Sequence, residues 1–293
     1  IRDRSSLLIG LIALLAFTPL SRAQDTKQPA VVLITVGPGD EVWEKYGHNM
    51  LWIRDPSRGI DHCYNWGLFD FNQPNFIGNF VLGRMTYTMD AYPVEATMRE
   101  YIDNDRRTLM QRLDLTPQQV EKLIVLCETN RLPQNKDYKY DYFRDNCSTR
   151  VRDMIDAASD GRLKQLADEQ GGGKTLLTYR EQALRLMQGD WWLTTGIDFA
   201  IGPATDVPLT AWEACFVPME MVPIVRPMAE AEREPFVSKR PSEPTTVPTR
   251  WPRLTAIGVL GAAVIVGLSR WRRWNLLSLA VWWTLCTVAA GFM

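Results

Sequence analysis

The sequence predicts an α+β domain, an antiparallel sheet packed on helices, followed by C-terminal transmembrane helices. Three observations carry this expectation. Short β-branched runs bounded by turn residues fill the first third, capped amphipathic helices come next, and uncharged apolar stretches lie at both ends. The chain has 293 residues, a net charge of −1 and 46% hydrophobic residues. Its near-neutral charge argues against a nucleic-acid surface. About 200 residues between the apolar ends are enough for one domain with a real core.

At the start, Arg2 and Arg4 precede the apolar run 7–17, then Ser21, Arg22 and Ala23. A charged start, an apolar run too short to span and a small-x-small site make residues 1–23 a signal peptide, so the domain at 24–228 is exported. The chain opens on Ile1 and stops inside an apolar run, so both ends are expected to be incomplete. Residues 30–36 (AVVLITV) form a strand closed by Gly37-Pro38-Gly39. Residues 49–54 and 61–67 are two further strands around the turn at 55–59, a hairpin with His48 and His62 near its open end. The aromatic stretch from Trp66 to Tyr87 is core, with an acyl-chain groove as the alternative.

Thr116, Pro117 and Gln119 supply an N-cap, a first-turn proline and a capping box for a helix with Val120, Leu123, Ile124 and Cys127 at helical spacing. Tyr138, Tyr140 and Tyr142 alternate as a short strand. A second helix begins at Asn146, with Cys147, Val151, Met154, Ile155 and Ala158 on one face. Three glycines at 171–173 mark a flexible break beyond it. Residues 229–252 are charged and proline-rich, a solvated tether. Residues 253–293 hold two transmembrane helices, the second truncated, with Trp251 and Trp271 bracketing the first and a basic turn at 270–275 on the cytoplasmic side.

Cys147 and His48 are the candidate chemistry. A thiol in the first turn of a helix meets unpaired amides that favour thiolate, and an imidazole reinforces them. His48 and His62 are the chain's two histidines. The plainer reading is a small buried cysteine and a structural strand histidine. Asp145 and Asn146 are helix caps, or else groups that orient a base or line an oxyanion pocket. Metal spacing is lacking, and no cofactor is expected. Lys174-Thr175 lacks the upstream glycine of a phosphate loop. Some of Cys63, Cys127 and Cys215 could pair in an oxidising compartment, while Cys286 falls in a membrane helix.

Four segments, YGHNMLWI at 46–53, YNWGLFDF at 64–71 with NFVLGRMTY at 79–87, YDYFRDNCSTRVRDMI at 140–155 and GIDFAIGPATDVPLTAWEACFVP at 196–218, resemble the Lnb N-terminal periplasmic domain family. That family is named for a lipoprotein N-acyltransferase. The histidine-then-cysteine order is also similar to the permuted papain-like group that includes lecithin–retinol acyltransferase. The resemblance implies a permuted papain-like fold and a bacterial inner-membrane protein with its catalytic domain in the periplasm. It implies an acyl chain passed from phospholipid, through a Cys147 thioester, to the N-terminal amine of lipoproteins, with His48 as base. His62 stands at the group's second-histidine position, and Asn65 is the other polar residue in place to orient His48. Tyr46, Asn146 and Trp66 would then contact substrate. Two rival readings remain open: a papain-like hydrolase acting on cell-wall peptide or phospholipid, and a non-catalytic envelope scaffold.

Overall fold

The structure is a computed structural model, and it describes residues 28–70, 72–75, 78–79, 84–171, 177–268, 276–277, 279–284 and 287. The expected signal peptide lies outside these residues. The strands are β1 (Ala30–Val36), β2 (His48–Asp55), β3 (Ile60–Leu68), β4 (Thr86–Pro93), β5 (Thr108–Leu113), β6 (Asp137–Lys139) and β7 (Ala229–Arg233). They pair antiparallel in one sheet, in the order β6-β4-β3-β2-β1-β5-β7. The α+β expectation, with an antiparallel sheet packed on helices, is met.

The helices are α1 (Val94–Asp103), α2 (Pro117–Arg131), α3 (Cys147–Ala158), α4 (Arg162–Gln170), α5 (Tyr179–Leu186), α6 (Trp191–Ala200), α7 (Ala211–Ala214), α8 (Pro218–Val225) and α9 (Trp251–Leu268). The uninterrupted apolar run of β1 has a direct cause: both of its faces are covered. Val31 and Leu33 join Leu51, Ile53, Tyr64 and Trp66 in the larger core under α2, α3, α4 and α8. Val32, Ile34 and Val36 face the other way with Met50, Cys63, Met98 and Tyr101, where α1 packs. The N-terminus of α2 is built as its sequence requires, with Thr116 and Gln119 closing a capping box.

Three expectations change. In the β2–β3 register Met50 lies opposite Asn65 and Ile53 opposite His62. His62 is therefore nearer the turn, and only His48 stands at the open end. Cys63, Cys127, Cys147 and Cys215 are all free thiols, so no pair forms among them.

Residues 229–252 are not a solvated tether. β7 adds an edge strand to β5, Arg240 grips Asp40 through two hydrogen bonds (2.7 and 2.6 Å), and the Ser238 hydroxyl donates to Asp105 O at 2.7 Å. The charges that suggested solvation find opposite charges on the domain, and the segment becomes a strap. Among the described residues no helix is long and apolar enough to cross a membrane. The 18 residues of α9 rise about 27 Å at 1.5 Å per residue, against a hydrocarbon layer of about 30 Å. Half of the second expected span, 276–293, lies outside the described residues.

Candidate active site

The site forms where the open end of the hairpin meets the start of α3. Gly47 delivers His48 to that point. Its φ is +80°, and a Cβ there would stand 2.5 Å from the Val36 carbonyl oxygen, so a side chain is excluded. The loop before it is clamped by Arg106, which donates to Gly37 O (3.2 and 3.0 Å) and pairs with Glu44 at 3.0 Å.

Asn146 starts α3. Its Oδ1 accepts from the Ser148 and Thr149 amides, both at 2.9 Å, while its Nδ2 donates to Tyr142 O and Phe216 O. This capping leaves Cys147 in the first turn, at the electropositive end of the helix. Gly67 makes room for it. With φ +87° beside an irregularity in the β3–β4 pairing, any Cβ there would come 3.2 Å from the Cys147 Cβ.

Two residues flanking the pair lock it in register. Asn49 follows His48 and Ser148 follows Cys147; the Asn49 Nδ2 donates to Ser148 Oγ at 2.8 Å, and that hydroxyl donates to Cys215 O at 2.5 Å. Both side chains are fully buried. The strand and helix are thus bonded one residue beyond each reactive group.

His48 and Cys147 are neighbours, and each is the main charge acting on the other. His48 Nε2–H donates to Asn65 Oδ1 at 2.6 Å, which leaves Nδ1 as the ring nitrogen not engaged by Asn65. Burial would push the Cys147 thiol up. It is outweighed by the charge and hydrogen bond of His48, then by the Asn49 backbone N–H and the Tyr140 hydroxyl, and the thiol is held below the usual range. Burial would likewise lower His48. The Cys147 charge and the hydrogen bonds to Cys147 and Asn65 overcome it, and His48 is held above its ordinary value. These shifts favour a thiolate–imidazolium pair.

Tyr140 completes the group. Burial, and then the Cys147 charge, push its hydroxyl well above the usual tyrosine range, so it stays protonated and remains a donor. Its ring stacks on Tyr87 with centroids 3.9 Å apart, and Tyr142 meets it edge-on.

The expected site residues divide. Cys147, His48 and Asn65 come together. His62 does not join them: it is three residues from Asn65 on an alternating strand, hence on the opposite face. Trp66 is fully buried in the core, its indole N–H donating to Asn130 Oδ1 at 2.7 Å, so it is no substrate contact. Asn146 commits its polar atoms to capping and to carbonyls, and is structural. Tyr46 is half-buried against Phe216, at the rim of the aromatic layer containing Phe143 and Tyr179. Tyr140, Gly67 and the Asn49–Ser148 link were missed, although Tyr140 lies within the motif that holds Cys147.

The family model of the Lnb N-terminal periplasmic domain matches residues 16–184. The stretch 196–218 lies beyond that match. No curated protein and no solved structure matches the chain.

Proposed function

The chain belongs to the Lnb N-terminal periplasmic domain family, an envelope assignment with this domain in the periplasm, and from that premise we propose that it is a cysteine-dependent acyltransferase. On this reading it moves a fatty acyl chain from phospholipid to the N-terminal amine of bacterial lipoproteins. The observation that carries the reading is the buried Cys147 thiol beside an imidazole that Asn65 orients by a 2.6 Å hydrogen bond, with the charge of that imidazole holding the thiol below its usual range. A structural cysteine needs neither partner.

The Cys147 thiolate attacks the ester carbonyl, and a carbon–sulfur bond forms as the carbonyl π pair moves to oxygen. On this reading the Cys147 backbone N–H and the Tyr140 hydroxyl donate to that oxyanion. As it collapses, the ester carbon–oxygen bond breaks, and imidazolium His48 protonates the leaving lysophospholipid. His48, now neutral, takes a proton from the incoming amine as its nitrogen attacks the thioester. The carbon–sulfur bond breaks, leaving an amide and regenerating the thiolate. The histidine-before-cysteine order supports a permuted papain-like arrangement, and the apolar residues after 253 support anchoring in the inner membrane beside both lipid substrates.

Mass spectrometry of lipoprotein N-termini from the host, with and without this gene, tests the proposal. Loss of the amide-linked acyl chain on deletion is expected; unchanged acylation would remove it.

A further inference from the structure

Away from the nucleophile, α6 and the start of α9 share one buried ionic centre. The Asp198 carboxylate on α6 is only 4% exposed, and three guanidiniums meet it: Arg180 at 3.1 Å, Arg250 at 3.3 Å and Arg253 at 3.4 Å. Arg180 also holds Asp206 at 2.6 Å and donates to the carbonyls of Asp198 (2.6 Å) and Ile201 (2.8 Å). A buried carboxylate is stable only in a fixed, fully paired geometry. The clasp therefore joins α9 to the domain at a set angle.

What this corner shows to its surroundings is apolar. Trp191 and Trp192 on α6 are 47% and 79% exposed and meet edge-to-face at 4.4 Å; Phe199 is half exposed. On α9, Trp251, Val259, Leu260 and Val266 are more than half exposed. Residues 254–268 carry no charged side chain, so α9 has no face suited to water. The part-exposed Arg250 at its base sits over Trp251, a pairing that suits the headgroup layer, where indole rings and cations concentrate.

We infer that α6 and α9 together form a bilayer-docking corner. Trp191, Trp192 and Phe199 lie at headgroup level, and the Asp198 clasp sets the domain's height and tilt above the lipid. The surface stands on its own observations. It rests on the acyltransferase reading only in making that bilayer the source of the acyl donor. The link to the site is short: Tyr179, next to Arg180, packs on Phe143 and Phe216, and Phe216 O accepts from the Asn146 cap.

The full chain, reconstituted in phosphatidylethanolamine–phosphatidylglycerol vesicles with or without brominated acyl chains, provides the test. The reading is the share of tryptophan emission that bromine quenches, compared with a Trp191→Tyr/Trp192→Tyr variant of unchanged circular dichroism. These are two of eleven tryptophans. If they contact lipid, removing them lowers the quenched share, as expected. If they face water, removing two unquenched emitters raises it, and a rise or no change overturns the inference. Acyl transfer followed in the same vesicles separates the two proposals. A fallen quenched share without any acyl transfer by the parent chain defeats the acyltransferase and leaves the docking corner standing.

Discussion

Cys147 and the three other described cysteines, Cys63, Cys127 and Cys215, are all buried, yet burial ends in opposite chemistry. Burial, helped by the Asp61 charge, pushes the mid-strand Cys63 thiol up to about 12. Cys215, just past α7 with its thiol turned to the Ala211 carbonyl, is pushed by burial to about 12 as well. Cys127, late in α2, is driven higher still by burial and the Glu128 charge. Cys147 also bears a desolvation penalty and still ends low, because an imidazole, an amide and a hydroxyl act against it. Burial alone makes an inert thiol; burial with converging donors makes a poised one.

The sharpest break of this contrast is His48→Ala. Loss of the base is expected to lower the proposed transfer by about 10²–10⁴-fold and to return Cys147 to its inert neighbours' behaviour. Alkylation by iodoacetamide across pH reads this. In the parent chain the Cys147 rate should hold below the ordinary thiol value of 9.0, falling only as pH drops through its lowered value. In the variant that plateau should disappear. Stability obeys the same signs. The Cys147 contribution is present above its unfolded value of 9.0 and is lost as pH falls through the lowered folded value. The His48 contribution is full below 6.5 and is lost as pH rises through its raised folded value.

Tyr140→Phe comes next. Removing one oxyanion donor should cost about 10²–10³-fold in kcat, with KM for phospholipid little changed. Asn65→Ala removes a hydrogen bond to a charged ring, worth about tenfold to a hundredfold in rate, and should pull the upper limb of the pH–rate profile down as His48 loses one of its supports. At the other end of the scale, Cys63→Ala, Cys127→Ala and Cys215→Ala should leave the rate unchanged and cost about 1 kcal/mol of stability each, read as a lowered Tm.

The two histidines repeat the lesson within one hairpin. Both are strand residues in the same sequence neighbourhood, but the antiparallel register sends His62 toward the turn and onto the other face. A hairpin was legible from its turn residues, whereas which residues face each other depended on a register that those residues do not state. Local chemistry was readable throughout: β1 from its unbroken apolar run, α2 from Thr116 and Gln119, α3 from Asn146, and Cys147 at its mouth.

Apart from the pairing of His48 with Cys147, contacts over long separations were not readable. Asn49 and Ser148 are 99 residues apart, and neither residue type signals its partner. Nor does AEAER look like a strand; β7 exists because β5 offers an edge, with Glu230 paired to Arg112 and Glu232 accepting from Gln111 at 2.9 Å. The strap at 229–252 was hidden for the same reason, since its charges are neutralised by residues far away in sequence.

Intact-mass spectrometry of the full chain after incubation with phospholipid vesicles tests the central claim most directly. One acyl mass should appear on Cys147, be released by hydroxylamine as thioesters are, and pass to an added peptide bearing a diacylated N-terminal cysteine. The Cys147→Ser protein should fail to pass any acyl group to that peptide. An acyl group found on Cys63, Cys127 or Cys215 instead, or full transfer by the Cys147→Ser protein, would contradict the account.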